Sequence, residues 1–340
     1  MNRKKLPITI PPIIGYVIHA FPLSIILNYN KCLPWFFSNY IQLSCNTQFK
    51  NNFFDFFALC PTLEGIPWID SIYPGIPWIN RHSIDSHTFI ECNLDINKII
   101  INSLSRNNYI VCHLDEFFVP NSSSYQNGHF FHENLIYGYD MDKMTYDILG
   151  FDKHRKFAHN KISFQAFKQA SENHDIKFLK INDEFSFELD LKFIRDLLLD
   201  YLYSENSSDR LRMIKNPTKN CVYGMSVYKE LIKYFTLLSE DSVDFDIRPL
   251  HILWEHKKCM RLRTEFISKN YESAAAGLEE TFNEYSILEQ RCLSIRNLLI
   301  KYLIRKHPAN IEKIISSLNY ISNMEQETVR NFIAKIEGLL

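Results

Sequence analysis

Residues 129–152 contain the pattern that most restricts the fold of this chain. Two sets of side chains alternate there, with Leu135, Tyr137 and Tyr139 in one set and Asn134, Ile136 and Gly138 in the other. A period of two residues is typical of a strand, and the polar run that follows, residues 140–143, is typical of a reversal. The sequence therefore predicts two antiparallel strands joined by a tight turn, with His132 at the head of the first strand.

The second half of the chain has a different period. From Asp190 onward the apolar residues recur at helical spacing, and a boundary is expected near residue 182. The fourth of the candidate helices is long enough that a bend or break inside it is expected. The sequence predicts an α+β fold, with an α+β domain over 1–182 and a helical domain over 183–340. The candidate helices of the second domain are 190–203, 226–239, 248–269, 272–306 and 310–338.

Composition excludes several classes of function. The 340 residues carry a formal net charge of −1 and include only 9 glycines, so neither a nucleic-acid-binding field nor a glycine-rich phosphate loop is expected. No run approaches the ~20 apolar residues of a membrane span, and prolines interrupt the apolar N-terminal run, so neither a span nor a signal peptide is predicted. The 8 cysteines form no CxxC pair, which favours reduced thiols in a cytoplasmic protein.

Two histidines and several carboxylates are the candidate catalytic groups of the first half. His129 and His132 are three residues apart, which would suit a metal site on a helix, but on a strand they point to opposite faces. No metal site is therefore predicted, and His132 is the candidate general base. Asp115 or its neighbour Glu116, at a predicted strand end, and Asp152 are candidates for orienting the imidazole. The alternative is a structural histidine with solvated carboxylates.

Two further stretches are candidates for substrate binding. The near-repeat Gly-Ile-Pro-Trp-Ile places Trp68 and Trp78 in paired turns, where they either plug the edge of a core or line a cleft. In the second half, Arg248 and His251 begin a cluster whose HxxxEH spacing differs from that of zinc hydrolases. This cluster is either a helix wall held by ion pairs or a basic platform for an anionic partner. The cations of that platform are Lys257, Lys258, Arg261 and Arg263.

Several short motifs together resemble a known family. The motifs are the His19-Ala20 pair, the strand ending at Asp115, the hairpin strand from His132 to Asp140 with its Tyr-Gly-Tyr-Asp ending, the helix entry at 162–164, and the helical tail. Over roughly the first 175 residues they are similar to the butirosin-biosynthesis acyltransferase-like proteins. The N-terminal domain of that family is C39-peptidase-like and papain-related, and the family is associated with nonribosomal peptide and polyketide genes.

The resemblance implies a Cys–His acyltransferase that moves an acyl group from a carrier-protein thioester to an amine. It implies a phosphopantetheine-bound substrate, no other cofactor, and an acyl or peptidyl carrier protein as partner; a homodimer is possible. His132 takes the position of the base, and His19 and Asp152 join the catalytic set. The position of the nucleophilic Cys is occupied by Ala20. Tyr137 and Ala20 are expected to line the substrate pocket.

Three hypotheses follow from the missing thiol. In the first, His132 deprotonates the attacking amine directly and backbone amides near Ala20 stabilise the oxyanion, since a thioester is already activated. In the second, the protein is a catalytically inactive papain-like scaffold that binds a carrier protein. In the third, it is a cysteine hydrolase that uses Cys32 or Cys45.

Overall fold

The computed structural model describes residues 2–57, 76–171, 175–182, 184–207, 220–271 and 275–340. The strands within these ranges are β1 Arg3–Lys5, β2 Leu43–Asn46, β3 Phe54–Phe56, β4 Ile79–Ile84, β5 Tyr109–Asp115, β6 Phe131–Asp140, β7 Thr145–Phe151, β8 Phe157–Ser163, β9 Ile176–Ile181 and β10 Cys221–Tyr223. The helices are α1 Val17–Ile26, α2 Leu33–Ser38, α3 Ser86–Glu91, α4 Ile96–Ser105, α5 Phe164–Ala170, α6 Leu191–Tyr203, α7 Val227–Ser239, α8 Arg248–Asn270, α9 Ala275–Arg305 and α10 Pro308–Glu337.

The chain divides into two compact units. The first consists of Met1–Cys32 and Tyr73–Ser186, and the second of Leu33–Ile72 and Phe187–Leu340. The first contains a 7-stranded antiparallel sheet and the second contains the long helices, so the class is mixed α+β. The change of unit between Ser186 and Phe187 lies close to the boundary expected at 182. The segment Leu33–Ile72, which the sequence assigned to the first domain, groups with the helices instead.

The sheet of the first unit has the strand order β4-β9-β5-β6-β7-β8, and β1 pairs with the end of β6. One face of this sheet is covered by α4 and α5, because the buried Tyr146 donates a hydrogen bond to Asn97 on α4 and packs its ring on Phe164 of α5. The opposite face is covered by α1, whose Phe21 ring lies 5.9 Å from that of Phe157 on β8. The two faces therefore bury separate layers of helix.

A glycine permits the close approach of β1 to this sheet. A Cβ atom at Gly138 would lie 2.9 Å from the carbonyl oxygen of Lys4 and 3.0 Å from the carboxylate of Asp147. The pairing of β6 with β7 also shifts register between Ile136 and Gly138. A bulge with a glycine is a common device where another backbone comes near.

In the second unit, a buried arginine holds the segment after Cys32 against the helices. Arg263 of α8 is 1% exposed, and its guanidinium donates to the backbone oxygens of Phe37, Asn39 and Tyr40 at 2.7, 2.5 and 3.1 Å. Strands β2 and β3 follow and form a small sheet with β10. An Arg side chain presents five donors and no acceptor, so it satisfies carbonyl groups that an apolar side chain would leave unpaired. This contact explains why the segment belongs to the helical unit.

A fully buried charge network joins four helices of the same unit. Glu325 of α10 accepts hydrogen bonds from Lys257 Nζ at 2.6 Å, from Tyr201 at 2.9 Å and from Tyr228 at 2.6 Å. Lys257 Nζ also donates to His256 Nδ1 at 2.9 Å, and His256 Nε2 donates to the backbone of segment 33–57. Burial lowers the pKa of His256 well below its usual value, so the ring is neutral and accepts from the ammonium. A buried ion pair is tolerated when its remaining donors and acceptors are satisfied in this way.

Most elements match their sequence predictions, with one difference. The hairpin of β6 and β7, the helix entry at 162–164, where Ser163 caps α5, and the helices from α6 to α10 are confirmed. The long helix α9 runs as one element from Ala275 to Arg305, without the expected break.

Among the described residues, no helix combines the length and the apolar character that crossing a membrane requires.

The buried network makes Lys257 a stringent test of the second unit. We expect Lys257→Met to lower the free energy of unfolding by about 3–5 kcal/mol, because Glu325 would remain buried without its cation. Lys269→Met, on the exposed side of the same helix, removes a surface pair with Glu265 and should cost no more than about 0.5 kcal/mol. Urea denaturation followed by circular dichroism measures both. Equal losses in the two variants would contradict this account.

Candidate functional site

The candidate site lies at one end of the large sheet, where β5 ends and β6 begins. In this antiparallel pair Leu114 faces His132, and Asp115 faces Phe131. Cross-strand partners share a face, and neighbours along a strand point to opposite faces. Alternation along β6 from Ile136 assigns the Cβ atom of His132 to the face covered by α4 and α5. The ring of His132 lies 5.9 Å from that of Phe151, the last residue of β7. Asp115 lies on the other face, the one that α1 covers.

On the α1 face, Asp115 fixes the imidazole of His129. Asp115 Oδ2 lies 2.5 Å from His129 Nδ1, and the other carboxylate oxygen accepts from the backbone amides of Phe117 and Phe130 at 3.1 and 3.2 Å. With Nδ1 donating to the carboxylate, Nε2 carries the lone pair. The side chain of Asp115 is 7% exposed, whereas that of His129 is 64% exposed. A buried carboxylate thus orients an imidazole whose basic nitrogen is accessible.

Stacking and charge reinforce this pair. The ring of Phe117 lies nearly parallel to that of His129, with centroids 4.7 Å apart and an interplanar angle of 24°. Burial raises the pKa of Asp115, but the hydrogen bonds from His129, Phe117 and Phe130 together outweigh it and hold the pKa below its usual range. The carboxylate therefore stays ionised at neutral pH and stabilises an imidazolium as it forms.

On the opposite face, His132 lies beside a different carboxylate. Its Nδ1 is 3.5 Å from Glu116 Oε1, and its ring stacks on Phe130 with centroids 5.8 Å apart. Burial raises the pKa of Glu116 to about 7 and lowers the pKa of His132. Burial thus disfavours the charged form of both groups. Compared with His129, the predicted base His132 has a longer carboxylate contact and a more enclosed ring, which is 27% exposed.

The backbone at Ala20 does not provide the oxyanion site that the sequence predicted there. Ala20 and His19 lie in the first turn of α1, and both are buried at 0% and 1% exposure. The backbone amides of both residues donate to the carbonyl oxygen of Tyr16, at 3.0 and 3.1 Å. Because these amides already donate hydrogen bonds at the start of the helix, they do not form the expected oxyanion site. The pocket shared by Ala20 and His132 stays a prediction.

Asp152 has a local role and does not support His132. Its carboxylate accepts from the backbone amides of His154 and Lys156 at 2.8 and 2.9 Å, which closes the turn between β7 and β8. The hydrogen bond from Lys156 is the main reason that the pKa of Asp152 is lowered. Of the two neighbouring carboxylates at the end of β5, Glu116 accompanies His132, and Asp115, the predicted catalytic residue, accompanies His129.

The predicted substrate-binding residues of the first unit are buried where the structure describes them. Trp78 is 0% exposed and packs edge-on against Phe185 with centroids 5.0 Å apart, which is the core-plug alternative. Tyr137 is also buried, and its hydroxyl lies 2.9 Å from His159 Nδ1. Trp68 lies outside the described residues. Neither Trp78 nor Tyr137 presents a surface to a ligand.

The predicted basic platform of the second unit is a helix wall held by ion pairs. Arg248 pairs with Asp246 at 2.8 Å, and His251 lies 3.1 Å from Glu255 and accepts from Arg296. Two of its cations, Lys257 and Arg263, are buried in the contacts described above, and Arg261 pairs with Glu289 at 2.6 Å. Little positive charge remains there for an anionic partner.

The two cysteines that the sequence proposed as nucleophiles are not exposed. Cys32 and Cys45 are buried, and burial raises the pKa of Cys45. A buried thiol with a raised pKa is not a thiolate at neutral pH. The described residues also contain no cluster of three or more His, Cys, Asp or Glu side chains with the spacing of a metal site.

The sequence contained part of the signal for His129. It identified both histidines and both carboxylates, and the alternation rule separates them into two faces. It did not give the register of β5 against β6, because a long loop joins the strands. That register decides which carboxylate meets which imidazole.

Glu116 predicts a measurable pH dependence of stability. Because its folded pKa is raised to about 7, the folded chain retains a proton that the unfolded chain loses from about pH 4.3 upward. Stability is therefore lost as pH rises through this window, by on the order of 3 kcal/mol at pH 8. Glu116→Gln should recover most of this loss at pH 8 and little at pH 4.

The matched control is Glu91→Gln, at an exposed position of α3. Its unfolding free energy should follow the wild type at every pH. The interpretation fails when Glu116→Gln and wild type differ by the same amount at pH 4 and pH 8.

No model of a protein family matches the chain, and no curated protein matches it significantly. The two histidine–carboxylate pairs are therefore the structural basis for a proposed function.

Proposed function

We propose that the protein catalyses acyl transfer from a carrier-bound thioester to an amine or water, with His129 as general base. The observation that supports this most is the 2.5 Å contact between Asp115 and an imidazole that is otherwise exposed. A buried carboxylate that fixes the tautomer and orientation of a histidine is the arrangement by which acyl-transfer enzymes prepare a base. The papain-related resemblance supplies the substrate class, and the proposal moves the base from His132 to His129.

The proposed step needs no enzyme nucleophile. The nitrogen of the attacking amine, or the oxygen of the attacking water, forms a bond to the thioester carbonyl carbon. At the same time His129 Nε2 accepts a proton from this nucleophile. The tetrahedral intermediate then collapses, the C–S bond breaks, and the imidazolium returns the proton to the departing thiolate. Asp115 stabilises the imidazolium between these two transfers and stays ionised throughout. General base catalysis of this kind contributes typically ~10²–10⁴-fold.

A carrier-bound substrate brings a phosphate, and the same end of the sheet offers cations for it. The turn between β7 and β8 presents exposed side chains at Lys153, Arg155 and Lys156, and none of them forms an ion pair within the described residues. The backbone amide of Lys153 donates to Asn121, in the loop that precedes His129, at 2.7 Å. Arg155 has φ 57°, a conformation that a non-glycine residue adopts rarely. We place the anionic partner here and not on α8.

The second candidate is a catalytically inactive scaffold that binds a carrier protein. It is favoured by the buried alanine at position 20 and by the burial of Cys32 and Cys45, the two cysteines proposed as nucleophiles. The two functions share a partner and differ in turnover. A scaffold would bind the carrier protein without accelerating loss of its thioester.

We expect His129→Ala to lower the rate of thioester aminolysis or hydrolysis by about 10²–10⁴-fold. Asp115→Asn should have a comparable effect, because an Asn side chain can donate to Nδ1 and so stabilise the wrong tautomer. The measurement is thiol release from acyl-loaded carrier protein and from acyl-N-acetylcysteamine, with thiol-trapping colorimetry. His132→Ala should change the rate by no more than a few fold.

The matched control is His82→Ala, an exposed histidine on β4 of the same sheet, which should leave the rate unchanged. Loss of activity in His132→Ala with retention in His129→Ala would return the base to position 132. No acceleration by the wild type, together with retained binding of the carrier protein, would establish the scaffold function.

A further inference from the structure

Aromatic rings lie beside the imidazole of His129. Phe131 is 52% exposed, although burial of a Phe side chain is normally favourable by about 1.5–3 kcal/mol. Phe117 and Phe118 complete the group and are half-buried. We call these three residues the aromatic rim. Single exposed apolar side chains are common, but a group of large ones at a cleft or site marks binding.

The rim begins at the imidazole itself. Phe117 stacks on His129 at 4.7 Å, and Phe118 lies 6.4 Å from the same ring. Phe131 is the cross-strand partner of Asp115 and therefore shares its face. A group held against these rings lies next to the basic nitrogen of His129. The rim is thus part of the same site as the proposed base.

The charge of the site also limits what the rim holds. The carboxylate of Asp115 already accepts from three donors, namely the imidazole of His129 and two backbone amides. The cations of the β7–β8 turn lie on a separate loop. The rings of the rim carry no charge, so the part of a ligand that contacts them is neutral and apolar.

We propose that the aromatic rim binds the acyl group of the substrate, and that this group is an apolar chain or aryl ring. This proposal rests on the proposed function, since it assigns the acyl half of that substrate. Binding should then strengthen with chain length, by about threefold to fourfold per added methylene while the chain remains within the rim. Short polar acyl groups should bind weakly.

The test measures binding without turnover. Pantetheine analogues in which a methylene replaces the thioester sulfur, carrying acetyl, butanoyl, hexanoyl or octanoyl groups, are titrated calorimetrically into the full-length protein. We expect the dissociation constant to fall along the series in the wild type. Phe131→Ala should flatten this dependence at least twofold per methylene and leave the acetyl analogue unchanged, and Phe131→Leu should restore much of it.

The matched control is Met144→Ala, which removes an exposed apolar side chain at the opposite end of the sheet and should preserve the dependence on chain length. Equal melting temperatures of the variants exclude misfolding as the cause of any loss. Affinity that is independent of chain length in the wild type overturns the proposal. It is overturned equally by a dependence that survives in both Phe131→Ala and Phe118→Ala, or by rim substitutions that only dissociate a dimer in sedimentation experiments.

These outcomes are distinct from failure of the proposed function. If the protein binds long acyl analogues but does not accelerate thioester cleavage, the proposal for the rim stands and the proposal for the base fails. If turnover depends on His129 but not on the length of the acyl group, the proposal for the base stands and the proposal for the rim fails.

Discussion

The antiparallel register between β5 and β6 is the constraint on which the site depends. It pairs Asp115 with Phe131 and Leu114 with His132, and the adjacent Glu116 follows the end of β5. Each of the two carboxylates then meets a different histidine. Asp115 is ionised and oriented towards an exposed imidazole, whereas Glu116 is buried beside an enclosed one. A slip of one residue in this pairing would move the side chains of β6 to the opposite face of the sheet. Both histidine–carboxylate contacts would then be lost. The chemistry of the site is therefore a property of the sheet.

The second unit uses buried charge for a different purpose. Lys257, Glu325 and their tyrosine partners join helices that are distant in the sequence, and Arg263 attaches the segment after Cys32 through backbone carbonyls. Such contacts add little net stability compared with apolar packing, but they penalise every arrangement that leaves a charge unpaired. The cationic stretch of α8 looks like a binding surface in the sequence because its composition is that of one. Burial gives it a structural role instead.

Local signals in the sequence were sufficient for much of the fold. The alternation in β6, the Ser163 cap and the helical period after Asp190 each predict their element, because each depends on neighbours within a few residues. The site depended on contacts that are not local. The loop between Asp115 and Phe131 leaves the register open, so the sequence could name the histidines and carboxylates but not their pairing. The resemblance then favoured His132, which is the histidine nearer the strand. The placement of residues 33–57 in the helical unit likewise depends on contacts that are distant in the sequence, such as those of Arg263 and His256 with its backbone carbonyls.

The central claim is that Asp115 holds His129 in one tautomer with an accessible basic nitrogen. Long-range ¹H–¹⁵N correlation spectra of the imidazole nitrogens test this most directly, with His129→Ala used to assign the signals. The account predicts that the neutral form of the His129 ring is protonated at Nδ1 and unprotonated at Nε2, and that this preference is lost in Asp115→Asn. A His129 ring protonated at Nε2, or one that is unaffected by Asp115→Asn, would contradict it.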